Sequence, residues 1–187
     1  MIEPEAVGEN WEPLGEDSVA YAGFLRVIRR RLRLPSGVEA DWELLDIPPT
    51  VTVLAFTEDD QIVMVRQFRP GPGRQVVSLP GGLIDPGEDP VAAGCRELTE
   101  ETGYVAGSAE YVIEAHLNNF TRPTHVVIAR GCRPTGTQHL DEFEDCTVEL
   151  MSLAQVRAEL RQARLGASLQ TYLALDHLGL LAGDAPS

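Results

Sequence analysis

The chain has 187 residues, 43% of them hydrophobic, and carries a formal net charge of −14 at pH 7. That length suffices for one full-sized domain with its own core and at most a small appendage. The charge argues against nonspecific nucleic-acid binding, which needs an excess of Lys and Arg, so a phosphate-bearing ligand would have to be neutralised by something else, such as a divalent cation held by carboxylates.

The first ten residues, MIEPEAVGEN, are acidic and lack the basic stretch and apolar run of a secretion signal. No apolar run approaches the roughly 18 to 20 residues of a membrane span. A cytoplasmic protein with no membrane partner is expected. Cys95, Cys132 and Cys146 lie far apart and outside any C-x-x-C pattern, which excludes a zinc knuckle and fits a reducing compartment.

From Phe24 to Leu34 the residues alternate, with Phe24, Ile28, Leu32 and Leu34 on one face and Arg29, Arg31 and Arg33 on the other, predicting a half-buried strand with a basic outer face. That arginine face suits a solvated surface or an intersubunit salt-bridge set better than a substrate clamp. Pro35-Ser36-Gly37 turns into a second strand, Glu39 to Ile47, so residues 1–48 read as an N-terminal antiparallel β unit closed by Pro48-Pro49, and residues 49–187 as the main domain. Val51–Phe56 and Ile62–Phe68, joined by Thr57–Gln61, read as a hairpin of a central sheet.

A loop dense in Gly and Pro follows, Leu79-Pro80-Gly81-Gly82-Leu83-Ile84-Asp85-Pro86-Gly87-Glu88, and then a helix with Asp89 as N-cap, Pro90 at the first helical position and Gly103 at the stop. Val112–Leu117, His125–Ala129 and Thr147–Met151 are further strand candidates. Ser152 with Gln155 forms a capping-box pattern opening a second helix, and Ser168 is the expected cap of a third carrying Leu169, Tyr172, Leu173 and Leu180. Strands with helices between and after them give an α/β or α+β fold.

In the helix after Asp89, the stripe Val91, Cys95, Leu98 and Thr102 is the expected buried face, while Glu97, Glu100 and Glu101 share another. Like charges at this spacing repel by a few tenths of a kcal/mol per pair, and no Lys or Arg at matching spacing is expected to relieve them. A divalent cation would. Gly94 costs about 1 kcal/mol relative to Ala in a helix interior, and close approach of an anionic substrate is one reason for it.

The spacing joins these features. From Gly82, five residues lead to Glu88, seven more to Arg96-Glu97-Leu98, and Glu100-Glu101, Gly103 and Tyr104 follow. This resembles the Nudix box, G-x5-E-x7-R-E-U-x-E-E-x-G-U with U aliphatic, departing only in the aromatic Tyr104. Arg66-Gln67-Phe68-Arg69-Pro70 before the box and Leu140-Asp141-Glu142-Phe143-Glu144-Asp145 after it are similar to the ADP-ribose pyrophosphatase branch.

The resemblance implies a Nudix fold, a mixed β-sheet sandwiched by helices, with an N-terminal antiparallel sheet that pairs in a homodimer. It implies a small-molecule nucleotide substrate and Mg²⁺ or Mn²⁺ held by Glu97, Glu101 and the Gly81 carbonyl, with Glu100 assisting. Glu88 and Arg96 match the family's structural ion pair. Arg69, with Arg66 and Gln67 beside it, matches a substrate-binding stretch, and Trp42 resembles an aromatic that stacks on the nucleobase. The reaction implied is metal-assisted attack of water on a pyrophosphate. A proton acceptor is then needed outside the box, because the box carboxylates are committed to metal. The acidic segment after Pro134, Gly136 and Gln138 offers one, and by motif position Glu142 matches the family's loop base with Glu144 as helper.

ADP-ribose pyrophosphatases usually carry a Pro-Gly pair after the box, where this chain has Leu117-Asn118-Asn119-Phe120-Thr121-Arg122-Pro123. That leaves GDP-mannose, other nucleotide sugars and dinucleotides open beside ADP-ribose. The rivals are a nucleoside triphosphate or dinucleoside polyphosphate hydrolase, and a non-catalytic Nudix-fold ligand-binding module. The intact box speaks against the second.

Overall fold

A computed structural model describes residues 11–23, 25–140 and 145–181. The described residues form two compact units, one of those up to Pro48 together with His116–Pro123, the other of Pro49–Ala115 with the described residues from Thr124 onward.

The first unit is an antiparallel sheet of β1 (Glu12–Pro13), β2 (Ser18–Ala22), β3 (Arg26–Arg33) and β4 (Glu39–Leu45), with β3 pairing all three others. Its arginine face is answered from within the sheet. Arg29 pairs with Glu43 at 3.2 Å, Arg31 with Glu39 at 3.2 Å, and Arg33 with Glu39 at 3.0 Å and Glu12 at 2.5 Å. Exposed pairs of this kind contribute about 0–1 kcal/mol each, so they set register more than stability. Among this unit's described residues only Ile28 is a buried hydrophobe, while Val19, Tyr21, Val38 and Trp42 remain exposed. The segment from His116 is stitched to the end of β4 by Leu45 N–H donating to Asn119 O at 2.7 Å and Thr121 N–H to Leu45 O at 2.9 Å.

The second unit holds β5 (Thr50–Thr57), β6 (Ile62–Arg69), β7 (Arg74–Ser78), β8 (Gly81–Leu83), α1 (Pro90–Thr102), β9 (Tyr104–Val105), β10 (Ser108–Ala115), β11 (Thr124–Pro134), β12 (Thr147–Met151), α2 (Leu153–Arg161) and α3 (Ser168–His177). The sheet runs β10-β11-β5-β6-β12, with β7 on β6, β8 on β5 and β9 on β11. The β5–β11 pair is parallel and the other pairs are antiparallel, so the sheet is mixed. Val51 to Phe56 is buried without a break, as a strand covered on both faces must be. Val51, Val53, Ala55, Val63 and Val127 pack with Ala93 and Leu98 of α1. On the opposite face Leu54, Ile62, Met64 and Ile128 pack with Val156 of α2 and with Ala174 and Leu175 of α3. The result is a mixed sheet between helices. No helix among the described residues is long and apolar enough to cross a membrane.

Several expected elements are corrected. Gly81–Leu83, read as loop, is a strand hydrogen-bonded to Thr50–Thr52. The strand expected at Val112–Leu117 is Ser108–Ala115 with a bulge between Tyr111 and Ile113, and His116 and Leu117 belong to the first unit. Ser168 does not cap α3. Ala167 holds that position without a side-chain bond, and the Ser168 hydroxyl donates to Leu165 O at 2.7 Å. The buried face of α3 is Thr171, Ala174 and Leu175, while Leu169 and Tyr172 are exposed and Leu180 lies beyond the helix end.

Candidate active site

α1 starts and stops where its caps dictate. The Asp89 carboxylate accepts from the N–H groups of Val91 and Ala92 at 2.9 and 3.1 Å, and Gly103 at φ 69° takes the left-handed conformation that closes the helix. The buried face is Ala93, Gly94, Leu98, Glu101 and Thr102, while Val91 and Cys95 are only half-buried. This rotates the face away from the expected stripe, and Gly94 is the cause. A methyl group there would lie 3.0 Å from Val53 Cγ2 and 3.4 Å from Val51 Cγ2. The glycine seats the helix on the sheet, and it serves packing rather than approach of a substrate.

The same seating carries Glu101 to the sheet, where it is 3% exposed. An ionised carboxylate is costly there unless hydrogen-bonded. Its Oε2 accepts from Gly81 N–H at 2.8 Å, and its Oε1 faces Gln67 Nε2 at 3.5 Å and Cys146 Sγ at 3.7 Å. Gly81 and Gly82 are each without a side chain for a different neighbour. A side chain at Gly81 would fall on the Val51 carbonyl oxygen, and one at Gly82 would lie 2.5 Å from Glu97 Oε1. The loop strand β8 therefore lies against two of the three helix carboxylates.

Arg96 organises the rest. Its Nε and Nη2 donate to Glu88 Oε1 and Oε2, each at 3.0 Å, Nη2 also to Leu83 O at 2.9 Å, and Nη1 to Glu97 Oε1 at 2.8 Å and Glu100 Oε2 at 2.9 Å. The expectation that no cation would sit at matching spacing among the glutamates is thus wrong, since Arg96 is adjacent to Glu97 and one turn before Glu100. A planar guanidinium can serve three carboxylates and a carbonyl at once where an ammonium cannot.

A family model, the NUDIX domain, matches residues 46–170. The chain belongs to the Nudix family.

Among its relatives, the "ADP-sugar pyrophosphatase" of Mus musculus is 36% identical over 86% of this chain and 80% of its own length. The "Methanol dehydrogenase activator" of Bacillus methanolicus is 32% identical over 80% and 82%. The "ADP-ribose pyrophosphatase" of Mycobacterium tuberculosis is 28% identical over 86% and 79%. A solved structure described as an ADP compounds hydrolase superposes with a TM-score of 0.74 at 22% identity, over 92% of this chain and 97% of that one, a likeness of fold.

In this Nudix domain, alternation along β6 separates the expected substrate-binding stretch. Gln67 faces α1, and Arg69 shares its side of the strand, exposed and without an ion pair among the described residues. Arg66 points the other way. It donates to Glu149 at 2.7 Å and lines a cavity of about 420 Å³ with Arg74, Gln155 and Arg164, on the face of α2. The structure does not bring Arg66 to the carboxylates. Gln67 is 8% exposed and braces Glu101, so its surroundings are protein rather than ligand. Trp42 belongs to the first unit, exposed and set edge-on to Trp11 with ring centroids 6.0 Å apart. Glu142 and Glu144 lie outside the described residues.

The donors Glu97, Glu100, Glu101 and the adjoining main chain are oxygens only, which suits a hard divalent cation. Among the described residues they do not converge as a finished cage, because Glu97 and Glu100 lean on Arg96 while Glu101 turns to Gly81. The donor chemistry fits such a cation, with Arg96 as the counter-charge for two of the carboxylates. Nothing in the sequence points to Cys146 or Gln138 here. The first looked like an isolated thiol and the second like loop filler, and contacts across the fold place both beside Glu101.

Arg96→Lys tests the clamp. A single ammonium cannot keep the paired bonds to Glu88 while reaching Glu97 and Glu100, so turnover is expected to fall about tenfold or more with a measurable drop in melting temperature. The guanidinium holds the Glu88 carboxyl below its ordinary value of 4.5. The pair's contribution is therefore complete above that value and lost as pH falls through the lower folded one. Denaturation at a series of pH values should show the Lys variant's deficit at neutral pH and its shrinkage in acid.

Proposed function

We propose that this Nudix chain hydrolyses the diphosphate bond of a nucleoside diphosphate derivative, with ADP-ribose or an ADP-sugar as the favoured substrate. The observation that carries the reading is the helix α1 face, three carboxylates tied to the Gly81-Gly82 strand and to Arg96 in the spacing the family uses. The names of the mouse and mycobacterial relatives, over four-fifths of this chain, support the substrate class.

In this reading Glu97 and Glu101, with Glu100 and the Gly81 carbonyl, hold Mg²⁺ or Mn²⁺. The bound cation supplies charge neutralisation at the phosphate oxygens and a more acidic water. Arg69 steadies the diphosphate as a planar donor. Glu142 accepts the proton of the attacking water, with Glu144 nearby. The new bond forms from the water oxygen to one phosphorus, and the bond from that phosphorus to the bridging oxygen breaks. The leaving group departs as the second phosphomonoester, so ADP-ribose gives AMP and ribose 5-phosphate.

We further propose that the first unit pairs with a second copy of the chain and presents Trp42 to the nucleobase. The exposed Val19, Tyr21 and Val38 on a sheet with a single buried hydrophobe among its described residues support this. Arg66 is left out of the substrate set because it is held by Glu149 on the other face of its sheet.

A panel of ADP-ribose, GDP-mannose, other nucleotide sugars, dinucleoside polyphosphates and nucleoside triphosphates, each with Mg²⁺ and with Mn²⁺, sorts the substrates. Cleavage of ADP-ribose or an ADP-sugar at the highest kcat/KM is expected. A preference of tenfold or more for triphosphates would overturn the substrate reading.

A further inference from the structure

We propose that Gln138 is a positioning residue for this hydrolysis, fixing Glu101 through its main chain and, by way of Cys146, through its carboxylate. The inference rests on the hydrolase reading above. The Gln138 side-chain amide donates from Nε2 to Glu101 O at 2.5 Å and to Cys146 O at 3.1 Å. Both partners are carbonyl acceptors, so only the NH₂ end of the amide can meet them.

The residues on either side make this tie specific. The helix leaves its last carbonyls unpaired, and the strip after β11 answers them. Thr135 N–H donates to Gly103 O at 2.7 Å, its hydroxyl donates to the same oxygen at 2.8 Å, and His139 N–H donates to Glu100 O at 2.8 Å. A side chain at Gly103 would lie 2.9 Å from Thr137 O, so the strip is seated directly on the helix end. Backbone groups and a threonine thus hold the strip to α1 at two other points. Gln138 adds what they do not, a bond onward to Cys146.

Cys146 then touches the functional group itself. Its Sγ lies 3.7 Å from Glu101 Oε1, and Gln67 Nε2 lies 2.7 Å from the same sulfur. Moving Cys146 would move the packing around a carboxylate that is 3% exposed. One amide therefore sets both where Glu101 stands in the helix and what its carboxylate rests on. It also fixes two points of the chain, Gln138 and Cys146, between which the sequence carries Asp141, Glu142, Glu144 and Asp145.

The test uses the full chain with Gln138→Met, which keeps length and removes the donors, and Gln138→Asn, which keeps the amide on a shorter stem that cannot span both carbonyls. Outer partners of metal-holding groups typically change affinity or activity by 10- to 100-fold. We expect Gln138→Met to lower kcat on ADP-ribose about tenfold with KM within twofold, and to weaken Mn²⁺ binding, read by calorimetry without substrate, by a similar factor. Gln138→Asn should fall between it and wild type, and it carries the test if the Met variant does not fold. A loop brace alone would lower the melting temperature and leave kcat and Mn²⁺ affinity within twofold of wild type, and that result overturns the inference. A wild-type chain that cleaves no diphosphate would overturn the hydrolase reading and this inference with it. An active wild type matched by both variants overturns the inference alone.

Discussion

Glu101→Gln is expected to lower kcat/KM by about a hundredfold or more while leaving the fold intact, because it removes one anionic donor of the proposed cation site. The substitution is isosteric, and Glu101 is 3% exposed, so packing is preserved. The energetic sign separates this prediction from a general loss of stability. Glu97, Glu100 and Glu101 repel one another, and Arg96 bonds to Glu97 and Glu100. Neutralising Glu101 in EDTA should therefore leave the melting temperature equal to or above that of wild type. In Mg²⁺ the order should reverse, since a ligand that binds only the folded chain raises its stability and the variant has lost that ligand's affinity. Turnover and melting curves in both conditions decide it, and near-normal turnover in a folded variant would remove Glu101 from the metal set.

Glu142→Gln is expected to lower kcat by about 10²- to 10⁴-fold, the usual worth of a positioned general base, with little change in the metal concentration needed for half-maximal rate. Glu144→Gln should cost less. The assignment rests on motif position and on chemistry. Carboxylates bound to a cation are poor proton acceptors, so the base must lie outside the box. Measuring kcat and its metal dependence for the two variants side by side tests the pairing. A larger loss in Glu144→Gln would move the role to that residue.

What was legible in the sequence was local. Asp89, Pro90 and Gly103 fixed α1 to the residue because a cap, a preset φ and a left-handed stop are properties of single residues. The Ser152–Gln155 capping box marked α2 for the same reason. The periodic runs located β5, β6 and β12. The helix of the Nudix box was legible because the proposed chemistry needs fixed spacing along one element.

What was not legible depends on residues distant in the chain. Gly81–Leu83 pairs with a strand about 30 residues earlier, and nothing in a Gly-Pro loop announces that partner. Gly94 looked like room for a ligand because the valines it touches lie on β5 and β11. The motif pairs Arg96 with Glu88, yet a side chain that long reaches along its own helix as well as back to the loop. By resemblance Arg69, with Arg66 and Gln67 beside it, belongs to one substrate-binding stretch. Strand alternation sends Arg66 to Glu149 and leaves Arg69 on the side of Gln67. Ser168 has the composition of a cap, but its hydroxyl finds Leu165 O instead.

Phosphorus NMR of ADP-ribose incubated with the full chain and Mg²⁺ in H₂¹⁸O reads the diphosphate cleavage itself. Two phosphomonoester signals are expected, AMP and ribose 5-phosphate, with ¹⁸O on one of them and no reaction in EDTA. Intact ADP-ribose, or release of inorganic phosphate without the monoester pair, would contradict it.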